Sequence, residues 1–363
     1  MSRIFWLKKS QIFETFYFVK CGRMGICMED MRYMIMERER RFFSPYAFLT
    51  ENTRGREIPI EPSSIRTEYQ RDRDRIVHSQ SFRRLMHKTQ VFLAPVGAHY
   101  RTRLTHTLEV SQIARTIARG LSLNEDLVEA IALGHDLGHT PFGHAGEEAM
   151  QECFSPDFTH YKQSLRVIEK IENNGAGLNL TWEVRDGIVN HTGKCMASTL
   201  EGVIVKYADR IAYINHDIDD ACAAGILSAE DIPADLIKVL GKTHGQRIDT
   251  MVMSLVNASK DRPMITMTDE IQSATDKLRA FLFEAVYKNP IAKGEENKAK
   301  ELLMQLFHYY VNHPEAMPDT YKTRLGTEDT VERCACDYVS CMTDRAAIEI
   351  YRKLFVPEVW RGR

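Results

Sequence analysis

The chain has 363 residues, enough to bury one large hydrophobic core or two moderate ones. Its hydrophobic share of 44% and charged share of 27% are ordinary for a globular protein, and a formal charge of -2 excludes a global attraction to nucleic acid or anionic membranes. The eight cysteines form no Cys-x-x-Cys pair, which argues against a thiolate zinc site, and no apolar run approaches the roughly 20 residues of a membrane span. We therefore expect reduced thiols, a cytoplasmic location and no membrane association.

The first 35 residues differ in character from the rest of the chain. They combine lysines and aromatic residues without the clean apolar segment and small-residue cleavage site of a secretory signal. The segment that begins at Met36, MERERRFFSPYAFLTENTRGREIP, reads like a natural protein start. We expect residues 1–35 to be a non-conforming or disordered extension, and residues 36–100 to form a helical segment that contributes to the substrate pocket.

Helical periodicity dominates the middle of the chain. In THTLEVSQIARTIARG, an apolar face with Val110 and Ile117 continues from His106. Asn124 then stands as a helix cap before the acidic first turn and the apolar residues of EDLVEAIALGHDLG. A third helix is predicted over STLEGVIVKYADRIAYINHDIDDA.

The C-terminal part is predicted to be helical as well, over DEIQSATDKLRAFLFEAVY, NKAKELLMQLFHYYVNH and VERCACDYVSCMTDRAAIEIYRKLF. Strand alternation is almost absent, and RPMIT is at most an edge strand. The expected fold class is therefore all-α, with a helical core over residues 101–225, additional C-terminal helices over residues 226–363, and little or no sheet.

The dipeptide His-Asp occurs twice, at 135–136 and 216–217, although a chain with 13 histidines should show about one by chance. The first pair ends an apolar helix. His106 lies on the apolar face of the preceding helix, where a lone histidine is more often a hydrogen-bonded core residue than a ligand. Asp209 interrupts VIVKYADRIAYI, where a buried carboxylate is costly unless a cation or donors meet it. Together these groups form an N/O set with open positions, which suits Mn²⁺, Fe²⁺ or Mg²⁺ and tolerates Zn²⁺.

The stretch GHDLGHTPFGHAGEE, residues 134–148, adds further reactive groups. Its glycines and proline end a helix and turn the chain sharply. His139, His144 and Glu147 follow closely enough to face a phosphate bound at the metal. A histidine beside a carboxylate can protonate a leaving oxygen. The alternative is a plain helix start at His144, with Glu147 simply favourable near the positive end of the helix dipole.

Longer motifs resemble one family. The order His106, His135-Asp136, Asp209 resembles the ligand set of the HD-domain metal-dependent phosphohydrolases. Five longer motifs resemble the deoxyguanosinetriphosphate triphosphohydrolase-like branch. They are RTEYQRDRDRIVHSQSFRRLMHKTQVF, YRTRLTHTLEVSQIARTIA, HDLGHTPFGHAGE, FTHYKQSLRVIE and ADRIAYINHDIDDA. The resemblance implies that the helical core is an HD metal-binding domain. It also implies hydrolysis of deoxynucleoside triphosphates (dGTP and other dNTPs) to the deoxynucleoside and inorganic tripolyphosphate.

The resemblance also implies a role for each matching residue. The implied metal ligands are His106, His135, Asp136 and Asp209. The implied catalytic residues are His144 and Glu147, as a histidine–acid pair, and His160. The implied substrate-binding residues are Gln90, Arg103, His139, Tyr213, Asp217, Arg279 and Tyr287. The implied cofactor is one divalent ion (Mn²⁺, Mg²⁺, Fe²⁺ or Zn²⁺), with Mg²⁺ or Mn²⁺ expected to support activity. A homo-oligomer is expected, while activation by a second dNTP is not assumed.

Two other functions stay open at this point. An HD-type nucleotidase or phosphodiesterase would act on another phosphate ester with the same metal chemistry. A nucleotide-sensing or single-stranded nucleic-acid-binding module would use the arginine-rich segment 66–84 for weak binding along a phosphate backbone. The predicted ligand set together with His144 and Glu147 favours an active enzyme over such a module.

Overall fold

The computed structural model of the chain describes residues 30–90, 101–288 and 290–358. The helices in these ranges are α1 Met31–Phe42, α2 Glu68–Val77, α3 Gln80–Arg84, α4 Arg103–Gly120, α5 Glu125–Gly134, α6 His144–Cys153, α7 His160–Arg166, α8 Trp182–Val189, α9 Leu200–Ala223, α10 Ala234–Leu240, α11 His244–Ser259, α12 Asp269–Leu282, α13 Pro290–Asn312, α14 Asp319–Lys322, α15 Val331–Ser340 and α16 Asp344–Phe355. Among the described residues there is no β-strand, only isolated bridges such as Thr89–Thr102. The prediction of an all-α fold is confirmed.

Polar caps define where the central helices begin. The side chain of Thr102 accepts a hydrogen bond from the backbone N–H of Thr105 at the start of α4. Asn124 does the same for the N–H of Leu127 at the start of α5, as predicted, and Thr199 caps α9. A cap of this kind satisfies a backbone N–H that has no partner within the helix and stabilises the helix by about 1 kcal/mol. The caps therefore set the position of each helix along the chain before tertiary packing is considered.

The main core lies between α4, α5 and α9. Ile113 and Ile117 of α4, Ile131 of α5, and Ile204 and Ile211 of α9 are almost completely buried in one apolar cluster. Each such side chain contributes roughly 1.5–3 kcal/mol by its removal from water. His106 lies in the first turn of α4, His135 directly follows α5, and Asp209 lies within α9, so the core that stabilises the protein also positions these predicted ligands.

A second apolar cluster joins α6 to the C-terminal helices α13, α15 and α16. It contains Ala149 and Met150 of α6, Leu303 and Phe307 of α13, and Val339 of α15. This cluster therefore crosses the predicted boundary between residues 101–225 and 226–363, and the domain division itself stays a prediction. As a result, the C-terminal helices support the helix that begins at the glycine-rich turn.

The predicted helical run over residues 331–355 is two helices. The first, α15, ends at Ser340, and the next, α16, begins at Asp344 with Thr343 as its N-cap. The side chain of Thr343 accepts a hydrogen bond from the N–H of Ala346. This local cap opposes continuation of the first helix. Asp344 adds to this effect because its carboxylate accepts hydrogen bonds from Phe142 and Thr89, outside its own helix.

The N-terminal extension predicted over residues 1–35 falls largely outside the described residues, which begin at Asp30. Helix α1 starts at Met31, before the predicted start at Met36, and its side chain Glu39 accepts hydrogen bonds from the N–H and hydroxyl of Thr50 at 2.7 Å each. No helix in the described part of the chain is long and apolar enough to cross a bilayer.

Candidate active site

Four side chains from α4, from the two residues that follow α5 and from α9 converge as the predicted ligand set. His106 Nε2 lies 3.1 Å from Asp209 Oδ1, and His135 Nε2 lies 3.5 Å from Asp136 Oδ1 and 3.8 Å from Asp209 Oδ1. His106, His135 and Asp136 are buried, with ligand atoms that lie within 4.8 Å of one another. The structure therefore brings together all four residues that the sequence resemblance implied as metal ligands.

The hydrogen bond at the far side of His135 shows that this set fits a metal ion. His135 Nδ1 donates to the carbonyl oxygen of Ala132 at 2.6 Å, so the lone pair is on Nε2. That Nε2 atom is buried and has no hydrogen-bond partner. A backbone carbonyl on one ring nitrogen is the usual means of orienting a metal-binding histidine, and an unmet buried nitrogen is otherwise costly. Two imidazoles and two carboxylates form a mixed N/O donor set suited to a divalent ion.

The carboxylates are held in their charged form. Burial alone would raise the pKa of Asp136, but its electrostatic interactions with His135, His139 and Arg103 hold it well below its usual value. Burial also opposes ionisation of Asp209, whose pKa is lowered by its hydrogen bond with His106. The guanidinium of Arg103 donates to Asp136 Oδ2 at 2.8 Å and is itself buried, with an Nε atom that has no partner. This arginine can therefore neutralise a ligand carboxylate and an incoming anion together.

The turn after α5 packs tightly because it contains glycine. A Cβ atom on Gly138 would lie 2.0 Å from the backbone nitrogen of Ser164 in α7. The N–H of Gly138 donates to Ser164 Oγ at 2.9 Å, and this hydroxyl donates to the carbonyl of His135 at 2.7 Å. The absence of a side chain at Gly138 therefore allows α7 to approach the metal ligands and to bring His160, its first residue, to the site.

Histidines line one side of the site beyond the ligands. The rings of His139 and His160 stack with centroids 4.3 Å apart, and His144 lies with its ring 6.4 Å from that of His139. Burial lowers the pKa of His139 and of His144. Burial would also lower the pKa of His160, but its hydrogen bond with Glu147 raises the value above its usual range. Of these three imidazoles, His160 is the one that the surroundings favour as a cation.

The carboxylate of Glu147 has a different histidine partner from the one that the sequence suggested. Its Oε2 accepts a hydrogen bond from His160 Nδ1 at 2.9 Å, and its Oε1 accepts from the backbone N–H of His160 at 3.3 Å. The predicted pairing of Glu147 with His144 is not the hydrogen-bonded one. Glu147 lies one turn after His144 on α6, and its carboxylate contacts the first residue of α7.

One cavity of about 490 Å³ connects these groups to a second wall on α9 and α12. Its lining includes Gln90, Arg103, His106, Asp136, His139, His144, His160, Asp209, Tyr213, Asp217, Arg279 and Tyr287. The two other predicted site residues, His135 and Glu147, lie directly behind it, beside Asp136 and His160. The structure therefore places every residue of the predicted site in or against a single cavity.

The second wall is built on α9 and the π-helical turn Phe283–Tyr287 that continues α12. Tyr213 and Asp217 follow Asp209 by one and two helical turns, so they project on the same side of α9. The hydroxyl of Tyr287 donates to Asp217 Oδ2, and Asp217 Oδ1 is buried without a partner. Burial raises the pKa of Asp217 to about 7 and that of Tyr213 to about 12. This wall therefore presents hydroxyl and carboxyl groups that suit a neutral polar ligand such as a sugar.

Sequence reasoning missed several cavity residues. Phe283 is 52% exposed at the rim, with the ammonium of Lys288 5.1 Å from its ring centre, and Thr192 also lines the cavity. Buried His191 lies behind the ligands with its ring 5.0 Å from that of His135, and its Nδ1 donates to Ile188 O at 2.7 Å. No spacing motif marks these positions; only the histidine in NHTG offered a weak signal.

The arginine-rich segment 66–84 is engaged within the chain. Arg66 pairs with Asp74 at 2.8 Å, Arg75 donates to the carbonyl of Leu178 at 2.7 Å, and Arg84 donates to that of Cys341 at 3.1 Å. Arg71, Arg73 and Arg83 also have intramolecular partners. These guanidinium groups support the fold, which leaves the hypothesis of a nucleic-acid-binding face with less support than the sequence alone suggested.

Comparison with known proteins identifies the family of this chain. Residues 103–214 match the HD domain, and residues 265–353 match the phosphohydrolase-associated domain. The chain is similar to three deoxyguanosinetriphosphate triphosphohydrolase-like proteins. It is 54% identical to that of Caldanaerobacter subterraneus subsp. tengcongensis, 48% to that of Desulfatibacillum aliphaticivorans and 46% to that of Clostridium tetani. These matches cover 91%, 88% and 93% of this chain and 97%, 97% and 99% of those proteins. The chain belongs to the deoxyguanosinetriphosphate triphosphohydrolase-like family of HD-domain proteins and is a metal-dependent phosphohydrolase.

Proposed function

We propose that the protein hydrolyses deoxynucleoside triphosphates to the deoxynucleoside and inorganic tripolyphosphate. The main support is the cavity of about 490 Å³, which has metal ligands, Arg103 and histidines at one end and the Asp217–Tyr287 pair at the other. A volume of this order accommodates a small organic ligand, and its two ends suit a triphosphate and a sugar respectively. The name shared by the curated relatives is consistent with this substrate class.

The reaction requires that water add to the α-phosphorus while the bond from this phosphorus to the 5′-oxygen breaks. When bound, a divalent ion would supply charge neutralisation at the phosphate and a more acidic water. Arg103 and His139 lie where they can contact the phosphate oxygens, and the guanidinium suits this role because it donates in a fixed fork. Proton transfer to the departing 5′-oxygen is assigned to the histidines His144 and His160, with Glu147 orienting His160.

The deoxyribose is assigned to the second wall. Gln90 Oε1 and Asp217 Oδ1 are buried polar atoms without a partner, and both residues line the cavity. A buried polar atom without a hydrogen-bond partner lowers the stability of the fold unless a ligand binds to it. A sugar hydroxyl is a suitable partner for either atom. Tyr213 lies between the metal end and Asp217 on α9, where its ring can exclude a 2′-hydroxyl.

A product assay tests the proposed function. The purified protein is incubated with each dNTP and NTP in Mg²⁺ or Mn²⁺, and the products are resolved by chromatography. We expect deoxynucleoside and tripolyphosphate from wild type and none from Asp136→Ala, whereas Asp276→Ala should behave like wild type because Asp276 is an exposed residue of α12, 53% accessible. Absence of tripolyphosphate in every condition, including mixed dNTPs as activators, would rule out the proposal. Release of pyrophosphate or orthophosphate would instead indicate a different HD-type phosphatase or phosphodiesterase.

Selection against ribonucleotides provides a second test. If the Tyr213 ring occupies the space of a 2′-hydroxyl, Tyr213→Ala should raise the kcat/KM for GTP relative to that for dGTP by about 10-fold or more, the usual effect of relieving one steric contact. Tyr207→Ala is the matched control, because Tyr207 lies on the same helix and is not part of the cavity lining. Wild-type turnover of GTP at a rate similar to that of dGTP would contradict the steric explanation.

A further inference from the structure

The turn that leads into α6 has an unusual backbone. Phe142 has φ 62° and Gly143 has φ 58°. A positive φ is rare for a bulky residue such as phenylalanine and costs roughly 1–3 kcal/mol unless surrounding contacts impose it. Gly143 is the N-cap of α6, so the conformation of these two residues sets the direction in which His144 leaves the turn. The contacts that hold this turn therefore help to determine where the His144 side chain lies in the site.

The main contact comes from the other end of the chain. The N–H of Phe142 donates to Asp344 Oδ1 at 3.0 Å, across 202 positions of sequence. The side chain of Phe142 is also buried in the apolar cluster of the C-terminal helices. Within the turn, the hydroxyl of Thr140 donates to the carbonyl of Gly143 at 3.0 Å. One local bond and two long-range contacts thus hold the left-handed residues in place.

The same carboxylate also holds the segment Thr89–Gln90, which contributes to the cavity lining. Asp344 Oδ2 accepts hydrogen bonds from the N–H of Thr89 at 2.9 Å and from its hydroxyl. The next residue, Gln90, lines the cavity. Asp344 is 8% exposed and is the first residue of α16, where the positive end of the helix dipole favours a negative charge. Its two oxygens therefore connect the phosphate-facing turn to the segment that carries Gln90.

A buried lysine completes the connection on the other side of the turn. Lys88 is 2% exposed, and its ammonium donates to the carbonyl of His139 and, at 3.0 Å, to that of Ser340 at the end of α15. The corner between α15 and α16 thus contacts the turn at His139 through Lys88 and at Phe142 through Asp344. No residue of this corner lines the cavity itself.

We propose that Asp344 is a positioning residue of the active site, and that the α15–α16 corner acts as a clamp on the turn from His139 to Gly143. The carboxylate imposes the left-handed conformation of Phe142 and so aims His144 at the substrate, while it holds the segment that carries Gln90 beside this turn. This inference rests on the proposed function for its effect on turnover, but not for its effect on the turn. It also assigns a purpose to the phosphohydrolase-associated domain, whose match includes the clamp.

Substitution of Asp344 tests the clamp. Asp344→Asn keeps one acceptor oxygen, which cannot serve both Phe142 and Thr89, and Asp344→Ala removes both acceptors. We expect kcat for dNTP hydrolysis to fall about 10-fold in the first variant and about 100-fold in the second, since a displacement of about 1 Å at a reacting group has effects of this size. Bound metal should stay at the wild-type level because no ligand contacts Asp344.

The matched control is Glu183→Gln. Glu183 is another fully buried carboxylate that accepts hydrogen bonds from a distant loop, from Thr53 Oγ1 and the N–H of Arg54 at 2.7 Å each, but it does not reach the cavity. We expect this variant to lose thermal stability with kcat unchanged. If it lowers kcat as much as Asp344→Asn at equal loss of stability, the effect is general destabilisation and the clamp is wrong.

Amide hydrogen exchange supplies a readout that does not require any substrate. In both Asp344 variants, exchange in the peptide spanning residues 138–146 should accelerate at least about 10-fold, whereas Glu183→Gln should leave this peptide unchanged. Unchanged exchange in the Asp344 variants would overturn the clamp. If wild type hydrolyses no dNTP while the exchange result holds, the clamp stands and the proposed function fails, so the two failures are distinguishable.

Discussion

Glu147 makes two hydrogen bonds to a single residue, His160, one to the imidazole and one to the backbone N–H. This double contact orients the ring and keeps its pKa above the usual value, although burial alone would lower it. A histidine in the charged form next to a phosphate can neutralise charge and then release a proton to a leaving group. In the proposed reaction, the carboxylate therefore acts through the histidine that it holds.

Substitution of Glu147 tests the role of the Glu147–His160 pair. Glu147→Gln removes the charge that supports the His160 imidazolium while keeping the side-chain size, so kcat should fall about 100-fold, within the usual contribution of acid–base catalysis. The bound metal, measured by elemental analysis, should not change. Glu152→Gln is the control, because Glu152 is on the same helix but is 54% exposed and pairs with Lys300. Equal activity in the two variants would contradict the assignment.

At the scale of helices, the position of α7 depends on a missing side chain. Gly138 packs directly on the backbone of this helix, and a Cβ atom there would lie 2.3 Å from the carbonyl carbon of Gln163 and 2.7 Å from the carbonyl oxygen of His160. Backbone atoms cannot rotate away as a flexible side chain can, so any larger residue must displace the helix as a whole.

We therefore predict that Gly138→Ala lowers both stability and activity. The free energy of unfolding should fall by about 1–3 kcal/mol, the usual cost of overpacking, and displacement of His160 should lower kcat. Gly245→Ala is the matched control: a Cβ atom at Gly245, in the first turn of α11, meets nothing within 4 Å. This variant should be neutral or more stable by about 0.5–1 kcal/mol because alanine favours the helix. Denaturant unfolding curves and dNTP turnover measure both effects; equal behaviour of the two variants would disprove the packing argument.

At the scale of the whole molecule, buried carboxylates hold distant segments together. Glu201 of α9 accepts hydrogen bonds from the backbone N–H groups of Phe48 at 2.9 Å and Asn124 at 3.1 Å, and it is fully buried. Burial raises the pKa of Glu201 to about 7, with the nearby carboxylate of Glu39 adding a smaller increase. The N-terminal segment, α5 and α9 thus meet at a group that the fold prefers in its protonated form.

This group makes stability depend on pH. Because the pKa in the folded state lies above the ordinary value of 4.5, the folded protein binds the proton more tightly than the unfolded chain. Its contribution to the free energy of unfolding should therefore decrease as the pH rises from about 4.5 to about 7, by up to about 3 kcal/mol, and stay constant above that range. In Glu201→Gln this part of the pH dependence should be lost, as measured by denaturant unfolding between pH 5 and pH 8. A wild-type-minus-variant difference that stays constant or increases with pH would refute this.

The amino-acid sequence was sufficient for the central helices α4, α5 and α9, which depend on local pattern. Helical periodicity and caps such as Asn124 predict the helices, since a cap and an apolar face act within a few residues. The cluster of candidate ligands His106, His135, Asp136 and Asp209 was also predictable, because polar residues inside apolar helices need a partner and their order resembles that of a known family. In the structure these four side chains lie together, and their role as metal ligands stays a prediction.

The tertiary structure was needed wherever a side chain depends on a distant partner. Glu147 has histidines before and after it in the sequence, and only the approach of α7 over Gly138 selects His160. His191 has no motif, and it reaches the ligands because α8 ends beside His135. The break between α15 and α16 and the role of Asp344 depend on contacts across 202 and 255 positions. Such contacts arise from the packing of complete helices, and packing is a property of the folded chain that no local pattern encodes.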